Sequence, residues 1–141
     1  MNNHELQNSV YQNAAMGITA LKQIIPSVND KGLRELLEKQ YNGYKKQTEI
    51  TARQMKANDQ MPSFPPLSSR MMAKAGIAMK LRRDRTRGNI AKMLIKGTNN
   101  GIIELTQNLN HTRTSTPETI ASAKAYLRRE QKYIESLKTF L

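Results

Sequence analysis

Cysteine and tryptophan are absent from this chain of 141 residues, and aromatic residues make up only 5% of it. Without cysteine, the chain forms no disulfide bond, thiolate metal site or cysteine nucleophile. No stretch reaches the roughly 20 apolar residues that span a bilayer as a helix. The first ten residues also lack the basic and apolar regions of a secretory signal. We therefore expect a cytoplasmic protein without a transmembrane segment.

The residues that are abundant favour helices. Methionine occurs eight times, and glutamine, lysine, asparagine and threonine are frequent, a composition that suits helices better than strands. The length is that of one domain with one continuous hydrophobic core. We predict a single all-α domain over residues 1–141.

Positive charge is concentrated in one segment. The chain carries 23 lysine and arginine residues against 11 acidic residues, for a formal net charge of +12. Residues 70–96 contain nine basic residues and one acid, Asp84. Such a segment is usually a solvated surface that adds solubility. One alternative is binding of nucleic acid, which would be nonspecific because no aromatic residues are interleaved, and the other is binding of an acidic protein or an anionic surface. The candidate polyanion contacts are Lys80, Arg82, Arg83, Arg85, Arg87 and Lys92.

Apolar residues recur at helical spacing in two pairs of segments. In the first pair, residues 3–57, Pro26 ends one helix and Asn29 or Asp30 caps the next. In the second pair, residues 88–141, Thr116 caps the last helix and Pro117 begins it. Each pair is predicted to form a helical hairpin. The second helix is expected to bury Leu33, Leu37, Tyr41, Tyr44, Thr48, Ala52 and Met55, and the last one Ile120, Leu127, Ile134, Leu137 and Leu141.

The segment between the hairpins, residues 58–87, is a long crossover. It begins with NDQMPSFPPLSS, in which three prolines exclude a regular helix. An additional amphipathic helix follows, with Ser68 or Ser69 as its cap and with Met71, Met72 and Met79 on one side. A methionine stripe at helical spacing more often belongs to a core than to a partner or membrane surface. In RRDRTRGN, residues 82–89, the absence of apolar side chains predicts a break.

A short internal similarity links the two hairpins. The segment MGITAL at residues 16–21 is similar to NGIIEL at residues 100–105, and Gly17 corresponds to Gly101 in this alignment. A glycine inside a helix costs about 1 kcal/mol relative to alanine, which calls for a reason at each position. We predict that the two glycines face each other near a pseudo-two-fold axis and allow close backbone contact; chance recurrence is the alternative.

The order hairpin, crossover, hairpin is that of ferritin-like four-helix bundles. NAAMGITAL with LRELLEKQYNGYKKQ, and GTNNGIIELTQNL with LRREQKYIESL, resemble small bacterial ferritin-like proteins and, more loosely, the spore-coat F family. This resemblance implies a ferritin-like four-helix bundle with an extra helix in its crossover. It also implies assembly into a coat layer, with a spore-associated location as the alternative to the free cytoplasm.

The chain departs from the di-iron pattern of that superfamily, which takes a Glu from each of two helices and Glu-x-x-His from each of the others. No carboxylate occurs between Leu6 and Asn29, and tyrosine replaces the histidine of both Glu-x-x-His motifs. His4 and His111 lie near helix ends and are expected at the surface. We therefore predict no metal and no other cofactor. A reduced ligand set, if one binds metal, would be Glu104, Glu130, Glu38, Tyr41 and Tyr133.

Glu130 is the most informative acid, because Leu127, Ile134 and Leu137 place it on an apolar stripe. A buried carboxylate without partners is costly, so a basic residue, a tyrosine hydroxyl or a metal must satisfy it. We expect its head to reach the bundle edge and pair with a basic residue. If it is instead a ligand or the remnant of one, Glu104 is its partner.

No arrangement of nucleophile and base and no phosphate-cradling loop is present. We predict a non-catalytic structural or interaction protein, with a homodimer as the favoured state because apolar helix surface must be covered. Nonspecific binding of nucleic acid or another polyanion and metal binding are the alternatives.

Overall fold

The computed structural model describes residues 1–141 and contains five α-helices and no strand, which confirms the predicted all-α class. The second helix follows the first after a single turn of 3-10 helix at Ile25–Ser27, in which Pro26 ends the α-helical hydrogen bonding. None of the helices has the length and apolarity needed to cross a membrane. The helices are α1 (Asn3–Ile24), α2 (Lys31–Lys56), α3 (Leu67–Arg83), α4 (Arg87–His111) and α5 (Pro117–Lys138).

Side-chain caps fix four of the five helix starts. Asp30 accepts a hydrogen bond from the backbone N–H of Leu33, and Thr116 caps α5 in the same way, with Pro117 in its first turn; both caps were predicted. The predicted cap of α3 is wrong. This helix begins earlier, after Pro66, without a side-chain cap, so that Ser68 and Ser69 already lie in its first turn. The caps of α1 and α4 are Asn2 and Thr86.

Contacts at the two ends of the bundle define the direction of each helix. At one end, α1 and α5 both begin, and the Asn3 side chain accepts a hydrogen bond from the backbone N–H of Thr116. At the other end, α2 and α4 both begin, and a nitrogen of Arg87 lies 3.4 Å from a carboxylate oxygen of Asp30. The pairs α1 with α2 and α4 with α5 are therefore antiparallel hairpins, whereas α2 and α4 run in the same direction.

The connection between α2 and α4 runs along the whole length of α1. Ser63 is hydrogen bonded to Asn8 near the start of α1, and the backbone oxygen of Lys74 accepts a hydrogen bond from Gln23 near its end. This connection holds α3, in the segment where an additional helix was predicted. A break at residues 84–86 then separates α3 from α4, also as predicted.

The hydrophobic core lies between the two hairpins, and α3 contributes only Leu81 to it. Its most deeply buried leucines come from all four bundle helices, and together they exclude water from the seam. These leucines are Leu6, Leu21, Leu33, Leu37, Leu105 and Leu137.

Two of the predicted apolar stripes need correction. In the second half of α2, the buried residues are Gln47 and Thr51 rather than Thr48 and Ala52, because the helix presents a slightly rotated face to α5. In α5, Leu141 lies beyond the helix end and is 62% exposed. The predicted positions Leu37, Tyr44 and Leu137 are buried.

The methionines of α3 are not core residues, contrary to prediction. Met71, Met72 and Met79 are all more than half exposed. The side of α3 that meets α1 instead carries Ala73, Ile77 and Leu81, with the methionines on the opposite side. Apolar residues thus occur on both sides of α3, and their spacing in the sequence did not show which side faces the bundle.

Candidate functional site

Glu130, on α5, is the only buried acidic residue, and its side chain is 3% exposed. The hydroxyl of Tyr44, on α2, donates to one carboxylate oxygen at 2.7 Å, and the side-chain amide of Gln40 donates to the other at 3.0 Å. The inward position was predicted. The expected pairing with a basic residue at the bundle edge is wrong, since neutral donors satisfy this carboxylate inside the bundle.

Other polar side chains lie near this carboxylate; Gln47, Thr51 and Tyr126 are buried, whereas Arg129 is exposed. The guanidinium of Arg129 donates to the amide oxygen of Gln47 at 2.6 Å, and Gln47 in turn donates to Thr51. The hydroxyl of Tyr126 donates to Asn13 on α1. Polar side-chain contacts therefore join α2 to α5 and α5 to α1.

Burial raises the pKa of Glu130 to about 7, although the hydrogen bonds from Tyr44 and Gln40 and the charge of Arg129 oppose the shift. Burial likewise raises the pKa of Tyr44, Tyr126 and Tyr133 above the usual value, and the charge of Glu130 adds to each shift. The tyrosines are thus neutral hydrogen-bonding groups, and Glu130 is the one group in the interior that titrates near neutral pH.

The hydroxyl oxygen of Tyr133 is buried and has no hydrogen-bond partner. The ring of Tyr133 packs edge-on against the ring of Tyr44, with centroids 6.5 Å apart. Since buried polar groups are nearly always paired, this unpaired hydroxyl is unusual. The only other buried polar side-chain atoms without a partner are Nδ1 of His4 and Oε1 of Gln23.

The predicted glycines both lie at this site, and the atoms nearest to a methyl group added at either one belong to a side chain of another helix. A methyl group at Gly17 would lie 2.5 Å from the ring of Tyr44, and one at Gly101 would lie 2.5 Å from the amide nitrogen of Asn13. Each glycine therefore makes room for a side chain of a neighbouring helix. The environments also differ, because Gly17 receives a residue of its own hairpin and Gly101 receives one from the other hairpin.

A cleft of about 570 Å³ opens between α1, α3 and α4 and reaches the polar interior. Tyr44, Glu130 and Tyr133 line the cleft from α2 and α5, and both glycines lie on its walls. Glu104, the predicted partner of Glu130, also borders the cleft but is exposed. The structure thus brings the two carboxylates to one cleft, one in the interior and one accessible to solvent.

The remaining members of the predicted metal set do not join them. Glu38 is exposed on α2, and Tyr41 is half-buried without a contact to Glu130. Nowhere in the chain do three or more histidine, aspartate or glutamate side chains come together in a group suited to a metal ion. Of the two histidines, His111 is exposed as predicted, whereas His4 is half-buried.

All six candidate polyanion contacts are exposed, at the corner where α3 meets α4. Arg87 is partly occupied there, since it contacts Asp30 and lies over the ring of Phe140 at 6.0 Å. Arg85 donates to the backbone oxygen of Leu81. The other members have no ion-pair partner. They are Lys80, Arg82, Arg83 and Lys92.

Gln40, Gln47 and Arg129 were missed as site residues. A signal for Gln40 exists in the sequence, because it follows Leu37 by three residues and precedes Tyr44 by four, which places it beside the buried stripe. Arg129 carries no such signal, since it lies next to the stripe on a helix with many exposed basic residues.

Comparisons with known proteins find no relative. No protein-family model matches the chain, and neither the curated proteins nor the solved structures include a significant match.

Proposed function

We propose that this protein is a non-catalytic bundle of the ferritin-like type that binds an acidic protein through the outer side of its crossover helix. The architecture supports the first part. Two antiparallel hairpins, with α2 and α4 in the same direction and a crossover along α1, are the arrangement that separates ferritin-like bundles from simple up-and-down bundles.

The observation that carries the binding function is an exposed apolar surface bordered by positive charge. We call it the crossover face and define it as Leu67, Met71, Met72 and Met79 with Arg82 and Arg83. Its apolar members are 56 to 76% exposed. Arg82 and Arg83 follow Met79 by three and four residues and so lie on the same side of α3. Exposed apolar patches of this kind mark interaction sites, and methionine adapts to varied partner shapes.

Charge decides which partner fits this surface. The two arginines make no ion pair within the chain, so an acidic surface with apolar groups complements them. A second copy of the chain would place the same arginines against each other, in a molecule that already carries a net charge of +12. The homodimer favoured by the sequence is therefore a competing outcome of the test.

The binding test uses polymers of defined composition. We expect a random copolymer of glutamate and tyrosine to bind more tightly than poly-glutamate, because tyrosine adds apolar contact with the methionines. Replacement of Met71 and Met72 by serine should reduce binding of the copolymer to the level of poly-glutamate. The matched control is Ile103→Ser, which removes a half-exposed apolar side chain from α4 and should leave binding unchanged. Equal binding of the two polymers to the wild-type protein would contradict the proposal.

Polyanion binding is the second candidate, and the cluster of unpaired basic side chains at the corner of α3 and α4 favours it. It predicts that single-stranded DNA binds more tightly than either polypeptide and is released steeply as salt is raised. Arg82→Gln with Arg83→Gln should weaken DNA binding, whereas the methionine variants should not.

The oligomeric state and the metal content are measured on the same preparation. Light scattering at high concentration distinguishes a monomer with a free crossover face from a self-associated form. One equivalent of iron, manganese or zinc in protein purified without chelator would contradict the prediction from the sequence that no metal is bound. A thermal shift on addition of these metals would contradict it as well.

A further inference from the structure

The cleft between α1, α3 and α4 ends at two polar groups that the protein leaves incompletely satisfied. The hydroxyl of Tyr133 is buried without a partner, in a side chain that is only 4% exposed. Glu130 lines the same cleft. Native proteins rarely bury an unpaired hydroxyl beside a carboxylate, so this end of the cleft has unused capacity for hydrogen bonds.

The negative charge of Glu130 also lacks a cation in contact with it. Its two hydrogen bonds come from a phenol and an amide, both neutral. The guanidinium of Arg129, whose charge acts on Glu130, donates its hydrogen bond to Gln47 instead. Each carboxylate oxygen still has a free lone pair, because a carboxylate accepts about four hydrogen bonds. A positively charged hydrogen-bond donor is therefore the group that this site is missing.

The walls of the cleft carry apolar side chains from α1 and α4. Met16 and Leu21 face it from α1, and Met93 and Leu105 from α4. The volume of about 570 Å³ falls within the range of roughly 300 to 1,000 Å³ that is usual for small-molecule sites. A ligand for this cleft thus has an apolar body and a polar head.

The mouth of the cleft carries charges of both signs, Lys80 and Lys96 together with Glu104. All three are exposed, so solvent and salt weaken their influence on a bound ligand. Glu130 is desolvated, and its interaction with a bound charge is correspondingly stronger. The sign of the ligand charge is therefore set by the interior of the cleft rather than by its mouth.

We propose that this cleft binds a small organic amine, whose ammonium group donates to the carboxylate of Glu130 and to the hydroxyl oxygen of Tyr133. Its hydrocarbon part lies between α1 and α4. The rings of Tyr44 and Tyr133 add the aromatic surface that favours ammonium groups. Gly17 makes room at the cleft wall for the ring of Tyr44, whose hydroxyl donates to Glu130. The site is on the bundle side of α3 and is independent of binding at the crossover face.

The experiment titrates n-hexylamine into the full-length protein and reads the methyl signals of its methionines by NMR. It is run at pH 8, where Glu130 is mainly ionised. Met16 and Met93 line the cleft, whereas Met71 and Met72 are exposed outside it. We expect saturable shifts at the first pair and none at the second. Hexanol and hexanoate, which match the chain length without the ammonium group, should bind at least about tenfold more weakly.

Three variants locate the interaction. Glu130→Gln should weaken hexylamine binding at least about tenfold, because the charge is removed, and Tyr133→Phe about fivefold, because one hydrogen bond is lost. Glu104→Gln, at the mouth, should change binding less than about twofold. Tyr133→Phe removes a single unpaired oxygen, so it keeps the test valid if Glu130→Gln does not fold.

The proposal is overturned if hexanol binds as tightly as hexylamine, or if Glu130→Gln and Tyr133→Phe bind hexylamine as the wild type does. Absence of shifts at Met16 and Met93 during the titration would overturn it as well. None of these outcomes bears on the crossover face, since the polymer test above uses different variants and a different side of α3.

Discussion

The bundle interior buries polar residues, whereas the crossover face exposes apolar ones. Both regions therefore depart from the usual distribution of residue types. In the interior, Glu130, Gln47 and Thr51 are buried. On the crossover face, Met71 and Met72 are exposed. Both regions are helical and lie on opposite sides of the same crossover. Residue type alone therefore does not decide which residues are buried in this protein; the partners that each helix face meets decide it.

The largest expected difference between the two regions concerns apolar truncation. Leu37→Ala, at a fully buried position in α2, should lower the free energy of unfolding by about 2 to 5 kcal/mol, because it removes buried contacts and leaves a cavity. Met72→Ala, at a position 76% exposed, should change it by less than about 0.5 kcal/mol. Urea unfolding of both variants measures this. A similar loss for both would mean that the crossover face is covered in the native protein.

The second difference concerns pH. Because burial raises the pKa of Glu130 from 4.5 to about 7, the folded state holds this proton more tightly than the unfolded chain. The stability that this adds is fully present below about pH 4.5 and is lost as pH rises through about 7. The loss is roughly 3 kcal/mol, since each pKa unit corresponds to about 1.4 kcal/mol.

Comparison with Glu130→Gln isolates this contribution. The variant has no titrating group at this position, so its free energy of unfolding should fall less than that of the wild type between pH 4.5 and pH 8. Urea unfolding at both pH values gives the difference. The neighbouring tyrosines, Tyr44, Tyr126 and Tyr133, do not titrate in this range, because burial raises the pKa of each. Parallel pH profiles for the two proteins would show that Glu130 is accessible to solvent.

The third prediction compares the effect of alanine at two glycines of the same hairpin. Gly17→Ala should destabilise the protein by about 1 to 3 kcal/mol, because the added methyl group would overlap the ring of Tyr44, which is held by its bond to Glu130. Gly43→Ala is the control, since nothing lies within 4 Å of the added methyl group. It should stabilise α2 by about 0.5 to 1 kcal/mol. Thermal unfolding of both variants measures these changes. If Gly17→Ala stabilised the protein, the ring of Tyr44 would not lie as close to Gly17 as the structure shows.

The smallest effect concerns helix caps. Thr116→Ala should cost about 1 kcal/mol, because it removes the hydrogen bond to the backbone N–H of Thr119 at the start of α5. Ser69→Ala should cost less than about 0.5 kcal/mol, because this serine does not cap α3. Equal losses on urea unfolding would mean that Ser69 caps α3, which was one of the two caps predicted from the sequence.

Much of the secondary structure was predictable from local features. Proline at positions 26 and 117, the caps Asp30 and Thr116, and the apolar-free residues 82–89 each mark a helix boundary that the structure contains. Each of these features affects backbone hydrogen bonding within about one helical turn, so it can be identified from neighbouring residues in the sequence. The start of α3 was misjudged because it has no side-chain cap to mark it.

The candidate site was predictable only in part. The inward position of Glu130 follows from its spacing to Leu127 and Leu137, but its partners Gln40 and Tyr44 lie on another helix. Which donor reaches the carboxylate depends on how far α2 is rotated toward α5. If α2 rotates by a fraction of a turn about its axis, different side chains of α2 face the carboxylate. The spacing of apolar residues in the sequence is too coarse to predict this rotation.

The sequence by itself determined the all-α class, most helix boundaries and one inward-facing acid, because these depend on hydrogen bonding and periodicity along a single helix. Only the tertiary structure decided that Gly17 and Gly101 make room for Tyr44 and Asn13, that the methionines of α3 face outward, and that Glu130 and Tyr133 meet in one cleft. Each of these depends on the distance and rotation between helices that are far apart in the chain, which arise from the packing of the whole core.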